Sequence, residues 1–140
     1  MIKRIISISL AILVFFNISI VNASSSKVKI SVTLESIECI SNNHVGNDWG
    51  FNCTVNKKDL SEGDSIEIST TLSGKITIKS TAEEYDKYPD IGSKSLTISV
   101  SKLKPNTDNT YSSSVTVREN RGRYSGNTAT WKFIYIIQKL

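Results

Sequence analysis

Residues 27–34 read KVKISVTL, and this stretch decides the fold class. Every second residue is apolar, and the residues between them are Lys, Ser or Thr. Side chains of a β-strand point to opposite faces in turn, so a period of two places all four apolar side chains on one face. The stretch therefore predicts a strand with one buried and one solvated face.

The same period recurs along the rest of the chain. Alternating apolar runs stand at residues 49–55, 66–72, 76–82, 96–100, 111–117 and 131–137. Turns rich in Gly, Asn, Asp and Pro separate them. The apolar phase slips near Glu35-Ser36, where the extra residue of a β-bulge would restore the buried face. The last run is also apolar at Ile134 and Ile136, which is typical of a central or covered strand. We predict an all-β fold, a single antiparallel β-sandwich of seven or eight strands.

Residues 1–23 have the features of a secretory signal peptide. Lys3 and Arg4 form a basic head, residues 5–21 are mostly apolar, and Ala23 precedes a polar run. We expect cleavage after Ala23 and a secreted β-sandwich domain over residues 24–140. An uncleaved membrane anchor is the alternative, because the apolar run is close to the minimum length of a span.

The charge of the mature chain limits the classes of partner. It carries 15 basic and 13 acidic residues, because Lys3 and Arg4 leave with the signal peptide. A net charge of +2 gives no support to nucleic acid as a partner. We expect an extracellular protein, a glycan or a membrane surface instead, and no transmembrane segment in the mature chain.

Cys39 and Cys53 are the only two cysteines. A lone pair of cysteines in an exported chain predicts a disulfide. It would close a loop of about 15 residues, for which chain entropy gives about 3 kcal/mol of stabilisation. A metal site would need further soft ligands, and only His44 lies nearby.

Catalytic chemistry has little support in the sequence. His44 is the only histidine and stands in an Asn-rich turn, and the chain has no Gly-x-Ser-x-Gly motif. We therefore predict a non-enzymatic module with no cofactor. A small secreted hydrolase with two catalytic carboxylates is an alternative. The distance between two such carboxylates is set by the fold, so the sequence does not exclude it.

Two other features of the sequence have an interpretation that the sequence alone does not decide. Arg118, Arg121 and Arg123 either bind an anion or form a solvated hairpin end beside Glu119. Asn52-Cys53-Thr54 fits the acceptor pattern for N-glycosylation, which matters only in a eukaryotic source.

Residues 82–92, AEEYDKYPDIG, form an acidic and aromatic loop between two predicted strands. Glu84, Asp86 and Asp90 place three carboxylates within seven residues. Ca²⁺ takes six to eight oxygen ligands, several of them carboxylates. The motifs Glu84-Tyr85-Asp86 and Asp90-Ile91-Gly92 resemble the third ligand loop of the C-two domain, a calcium- and lipid-binding β-sandwich.

The resemblance is centred on residues 82–100 and implies a C-two-like sandwich, with an immunoglobulin-like one as second choice. It also implies a calcium site at Glu84, Asp86 and Asp90, with Asp48 from an earlier loop. Two departures stand against calcium: Glu84 replaces the family's Asp, and Asp86 and Asp90 are closer in sequence than usual.

The alternative is that residues 82–92 form a surface loop that binds no ligand. The rings of Tyr85 and Tyr88 would pack on the end of the sandwich, and the carboxylates would be solvated beside Lys87 and Lys94. We therefore predict a secreted binding module of unknown partner. Its alternative is a calcium-dependent membrane or glycan binder acting through residues 83–92.

Overall fold

The structure, a computed structural model, describes residues 26–140. The predicted signal peptide, residues 1–23, lies outside the described residues. This part of the chain contains no helix with the length and apolarity of a membrane span. Its strands are β1 (Lys27–Asn42), β2 (Trp49–Val55), β3 (Lys58–Asp59), β4 (Ser65–Thr71), β5 (Lys75–Glu84), β6 (Asp90–Ser99), β7 (Asp108–Arg118) and β8 (Thr128–Lys139). A single 3-10 turn, Val100–Lys102, follows β6.

The strands form two antiparallel sheets of four strands each. The first sheet has the order β4-β1-β8-β7, and the second has the order β3-β2-β5-β6. Apolar residues from both sheets are buried in one continuous core. The predicted β-sandwich is confirmed, with eight strands.

The predicted bulge in β1 is also confirmed. The first half of β1 pairs with β4, and the strand pairs with β8 along most of its length. The register with β8 shifts between Leu34 and Ser36, where the sequence places the extra residue. A second shift lies between Cys39 and Ser41. Beyond the first bulge Ile37 is partly buried against the core, whereas Cys39 and Ile40 are exposed.

β8 is the central strand that its sequence predicts, because it lies between β1 and β7. Tyr135 on this strand is fully buried, and its hydroxyl lies 2.7 Å from Ser80 Oγ and 3.5 Å from Cys53 Sγ. Burial raises the pKa of Tyr135 far above its ordinary value, so the phenol stays neutral. These contacts satisfy the buried hydroxyl groups of Tyr135 and Ser80.

The predicted disulfide between Cys39 and Cys53 is wrong, since both cysteines are free. Cys39 is exposed and pairs with Trp131 on the first sheet. Cys53 is buried on the second sheet against Tyr135. One thiol is therefore open to solvent on the first sheet and the other is enclosed in the core on the second sheet, so the two sulfur atoms do not meet.

The acidic segment is shorter as a loop than its sequence predicts. β5 continues to Glu84 and β6 already begins at Asp90, so the loop itself is residues 85–89. The sequence places the start of this strand at Leu96. β6 extends through Gly92 because a residue without a side chain fits against the backbone of Thr116 on β7. Glu84 and Asp90 are therefore strand residues.

Candidate functional site

Three loops meet at one end of the sandwich, which we call the loop end: residues 43–48, 85–89 and 119–127. The pairing of the strands places them together. The first residue of β2, Trp49, is opposite Glu84, the last residue of β5. Glu84 is also opposite Asp90, the first residue of β6. β7 and β8 pair up to their connecting loop in the same way.

The first of these loops is held by its own side chains. Asn42 Nδ2 donates to the Gly46 carbonyl at 2.7 Å, and Asn42 Oδ1 accepts from the Val45 amide at 3.0 Å. The Val45 side chain is buried in the core. His44 has a φ of 56°, in the left-handed region. Residues 43–48 therefore form a fixed turn that presents His44.

The other two loops are tied to each other. The carboxylate of Asp90 accepts hydrogen bonds from the Asn120 amide at 3.2 Å and from Asn120 Nδ2 at 2.6 Å. The Arg121 guanidinium lies 4.4 Å from the centre of the Tyr88 ring, which is cation–π geometry. The loop end is thus one connected surface.

Glu84 is the unusual residue of the loop end. Its side chain is only 5 % exposed, and Oε2 has no hydrogen-bond partner among the described residues. Its carboxyl group lies so close to Gly46 that a Cβ there would overlap with it. Burial raises the pKa of Glu84, because the charged form loses its hydration. Smaller increases come from the nearby carboxylates of Asp86, Glu119, Asp90 and Asp48.

Glu84 lines a cleft of about 340 Å³, which we call the acidic cleft. One side of it carries the rings of His44 and Tyr124, which stack with centroids 5.0 Å apart and planes 17° from parallel. The cleft is lined by His44, Val45, Gly46, Asn47, Glu84, Asp86, Glu119 and Tyr124. Carboxylates and aromatic rings thus face the same space.

The structure brings the four predicted calcium ligands to the same end but does not form a metal site from them. Both oxygens of Asp90 are occupied by Asn120. Asp86 Oδ1 accepts from the Tyr88 amide at 2.5 Å. No group of three or more His, Cys, Asp and Glu side chains within residues 26–140 is arranged to hold a metal ion. Glu84, Asp86, Asp90 and Asp48 as placed do not fit Ca²⁺.

The aromatic residues of the predicted acidic loop are largely open to solvent. Tyr85 is 51 % exposed, Tyr88 is 49 % exposed and Ile91 is 61 % exposed. Tyr85 does lie against Gly50 of β2, where a Cβ would overlap with the phenol group. The expectation that both rings pack onto the sandwich is thus met only in part.

Several residues of the loop end have no signal in the sequence. Asn120 and Tyr124 stand in a polar turn, and only the fold brings them to Asp90 and His44. Of the three arginines given as either an anion site or a solvated hairpin end, Arg121 lies over Tyr88 and Arg123 lies 5.7 Å from the Tyr124 ring centre. His44 Nδ1 lies 3.0 Å from Asn43 Oδ1, so the histidine ring forms a hydrogen bond with its neighbour in the same loop.

Comparison with known proteins gives a similarity of fold. No protein-family model and no curated protein matches the chain. Among solved structures, the chain is similar to the C-two A domain of a plant extended synaptotagmin 1, with a TM-score of 0.47 and 7 % identity. The match covers 81 % of this chain and 95 % of that chain. This is a likeness in fold alone.

Proposed function

We propose that this chain is a secreted, non-enzymatic binding module that contacts its partner through the loop end. The observation that carries the proposal is the exposure of Tyr85 and Tyr88 in the loop end and of Ile91 next to it on β6. Aromatic side chains supply much of the binding energy of protein interfaces, because they bury a large area at a low cost in conformational entropy.

The arrangement of these side chains supports the proposal. Gly50, Glu83 and Ile91 stand side by side on β2, β5 and β6. Tyr85 lies over Gly50, so Tyr85 and Ile91 flank Glu83 on the outer face of the second sheet. The Asp90–Asn120 bonds and the Tyr88–Arg121 contact hold this surface in place. A surface that is already ordered loses little freedom on binding.

Binding of the labelled chain to intact cells of its source tests the proposal. We expect saturable binding by the natural chain and at least a tenfold loss in a Tyr85→Ser, Tyr88→Ser, Ile91→Ser variant. Leu72→Ser is the matched control, because Leu72 is 48 % exposed in the turn between β4 and β5. Equal binding by the triple variant and the natural chain would remove the loop end as the binding surface.

Calcium-dependent binding to a membrane or a glycan is the second candidate function. It is favoured by the gathering of Asp48, Glu84, Asp86 and Asp90 at one end, and opposed by the bonds that occupy Asp90. A site filled at 100 times its dissociation constant would add about 2.7 kcal/mol to the free energy of unfolding. A thermal melt in millimolar calcium measures this. An unchanged melting temperature, or an equal shift in Asp86→Asn, would end this candidate.

A further inference from the structure

The carboxylate of Glu84 is buried, and its Oε2 has no hydrogen-bond partner among residues 26–140. Glu side chains are almost never buried unless they are paired, because an unpaired charge loses its hydration without compensation. The neighbour of Glu84 across the strands, Asp90, is buried too, but Asn120 satisfies it. Only Glu84 of this pair faces the acidic cleft.

The other groups of the acidic cleft add negative charge and a π surface. Asp86 and Glu119 line it with Glu84, so three carboxylates from two loops and a strand border one space. The stacked rings of His44 and Tyr124 border the same space. Carboxylates next to aromatic rings are the groups that bind organic cations in proteins.

The geometry separates the classes of cation. A metal ion needs several ligand atoms around one point, and no such group exists among residues 26–140. A guanidinium group is recognised best by two parallel hydrogen bonds to one carboxylate. Glu84 Oε1 lies against Gly46, and Oε2 has no hydrogen-bond partner among the described residues, so the two oxygens do not form an open fork and a point donor suits the site. An ammonium group has three donors that can turn toward separate acceptors.

We propose that the acidic cleft binds a primary alkylammonium group, with Glu84 as the buried counter-charge. The carboxyl torsion of a Glu side chain is broad, so a small rotation turns Oε2 toward the ligand. Asp86 and Glu119 accept the remaining hydrogen bonds, and the His44–Tyr124 pair covers the alkyl chain. The inference rests on the proposed function, because it names the chemistry that a partner would bring to the loop end.

Binding of the ammonium group is coupled to a proton. The groups that face Glu84 are the carboxylates of Asp48, Asp86, Asp90 and Glu119, with His44 on the far side of the cleft. Burial first, and then these carboxylates, raise the pKa of Glu84. A bound cation favours the ionised carboxylate and lowers that pKa again. The affinity therefore increases as the pH rises above the ordinary range of a Glu.

Isothermal titration of the full chain with 1,5-diaminopentane tests the proposal. We expect saturable binding, none with 1,5-pentanediol, and an affinity that is higher at pH 7.5 than at pH 5. Glu84→Gln keeps the shape of the side chain and should lose about tenfold or more in affinity. Asp86→Asn should lose about two- to fivefold, since its carboxylate is exposed. Glu67→Gln, on the exposed face of β4, should change nothing.

The source of the ammonium group is a second arm of the titration. Tighter binding of Nα-acetyl-lysine N-methylamide than of the diamine assigns a lysine side chain of a protein, and the reverse order assigns a small free amine. The proposal is overturned if neither compound saturates the chain, if Glu84→Gln binds as well as the natural chain, or if calcium alone binds at Glu84. Cell binding that still depends on Tyr85, Tyr88 and Ile91 would then leave the proposed function standing.

Discussion

Glu84 and Asp90 are opposite residues on β5 and β6, and both are buried. Within residues 26–140, Asp90 accepts two hydrogen bonds from Asn120, whereas Glu84 Oε2 accepts none. The two carboxylates have the same chemistry and nearly the same burial. The difference lies in the loop that follows β7, because Asn120 reaches Asp90 and no described residue reaches Glu84 Oε2. One carboxylate therefore anchors a loop, and the other is left for a ligand.

Removal of the Asn120 side chain tests the anchoring role of Asp90. Asn120→Ala removes the 2.6 Å bond to a buried carboxylate, and hydrogen bonds to charged groups contribute about 1.5–3 kcal/mol. We expect a loss of this size in the free energy of unfolding, measured by urea denaturation. Asn47→Ala, at another exposed position of the loop end, should stay within about 0.5 kcal/mol of the natural chain. Equal stabilities of the two variants would show that Asp90 needs no anchor.

The pH dependence of stability tests the burial of Glu84. Because its pKa is raised in the folded chain, the folded state holds this proton more tightly than the unfolded state does. The contribution of Glu84 to the free energy of unfolding is most favourable below the ordinary pKa of Glu. This contribution is lost as the pH rises through the raised pKa. Glu84→Gln lacks this loss, so its stability relative to the natural chain should increase between pH 4 and pH 8.

Urea denaturation at several pH values measures the difference between the two chains. Glu67→Gln on β4 is the control, because Glu67 is exposed and lies outside the acidic cleft. A constant difference between Glu84→Gln and the natural chain across this pH range would contradict the raised pKa.

Thiol titration distinguishes the two cysteines. Cys39 is exposed, whereas burial raises the pKa of the Cys53 thiol and keeps it out of contact with reagent. We expect one fast-reacting thiol in the folded chain and a second only after denaturation in guanidinium. Cys39→Ser should abolish the fast reaction, and Cys53→Ser should leave it unchanged. A chain with no reactive thiol before or after denaturation, unless it is reduced, would restore the disulfide.

The sequence predicts the sandwich well because its signal is local. The alternation in residues 27–34 and the two-sided apolar pattern around Ile134 depend only on neighbours along the chain, and both match the structure. Local sequence patterns do not predict the disulfide, because it depends on the distance between Cys39 and Cys53, which lie in different sheets. The acidic cleft has the same difficulty, because Glu84, His44 and Tyr124 come from three distant segments.

Gly92 explains why the last part of the acidic segment, from Asp90 onward, folds as a strand although the sequence predicts a loop. Glycine is typical of a turn, but Gly92 is buried within β6 against β7. A Cβ at Gly92 would overlap with the carbonyl oxygen of Thr116 and lie 2.9 Å from its carbonyl carbon. Backbone atoms cannot rotate away as a side chain can, so the two sheets would have to separate locally.

Gly92→Ala should therefore destabilise the chain. Ala gains roughly 0.5–1 kcal/mol over Gly in a strand through backbone entropy. Overpacking of a closed contact costs about 1–3 kcal/mol, and this larger effect should prevail. Ser93→Ala is the matched control, because Ser93 is exposed on the same strand. Thermal unfolding of both variants measures the effect. A Gly92→Ala variant as stable as Ser93→Ala would mean that β6 and β7 are not in close contact at Gly92.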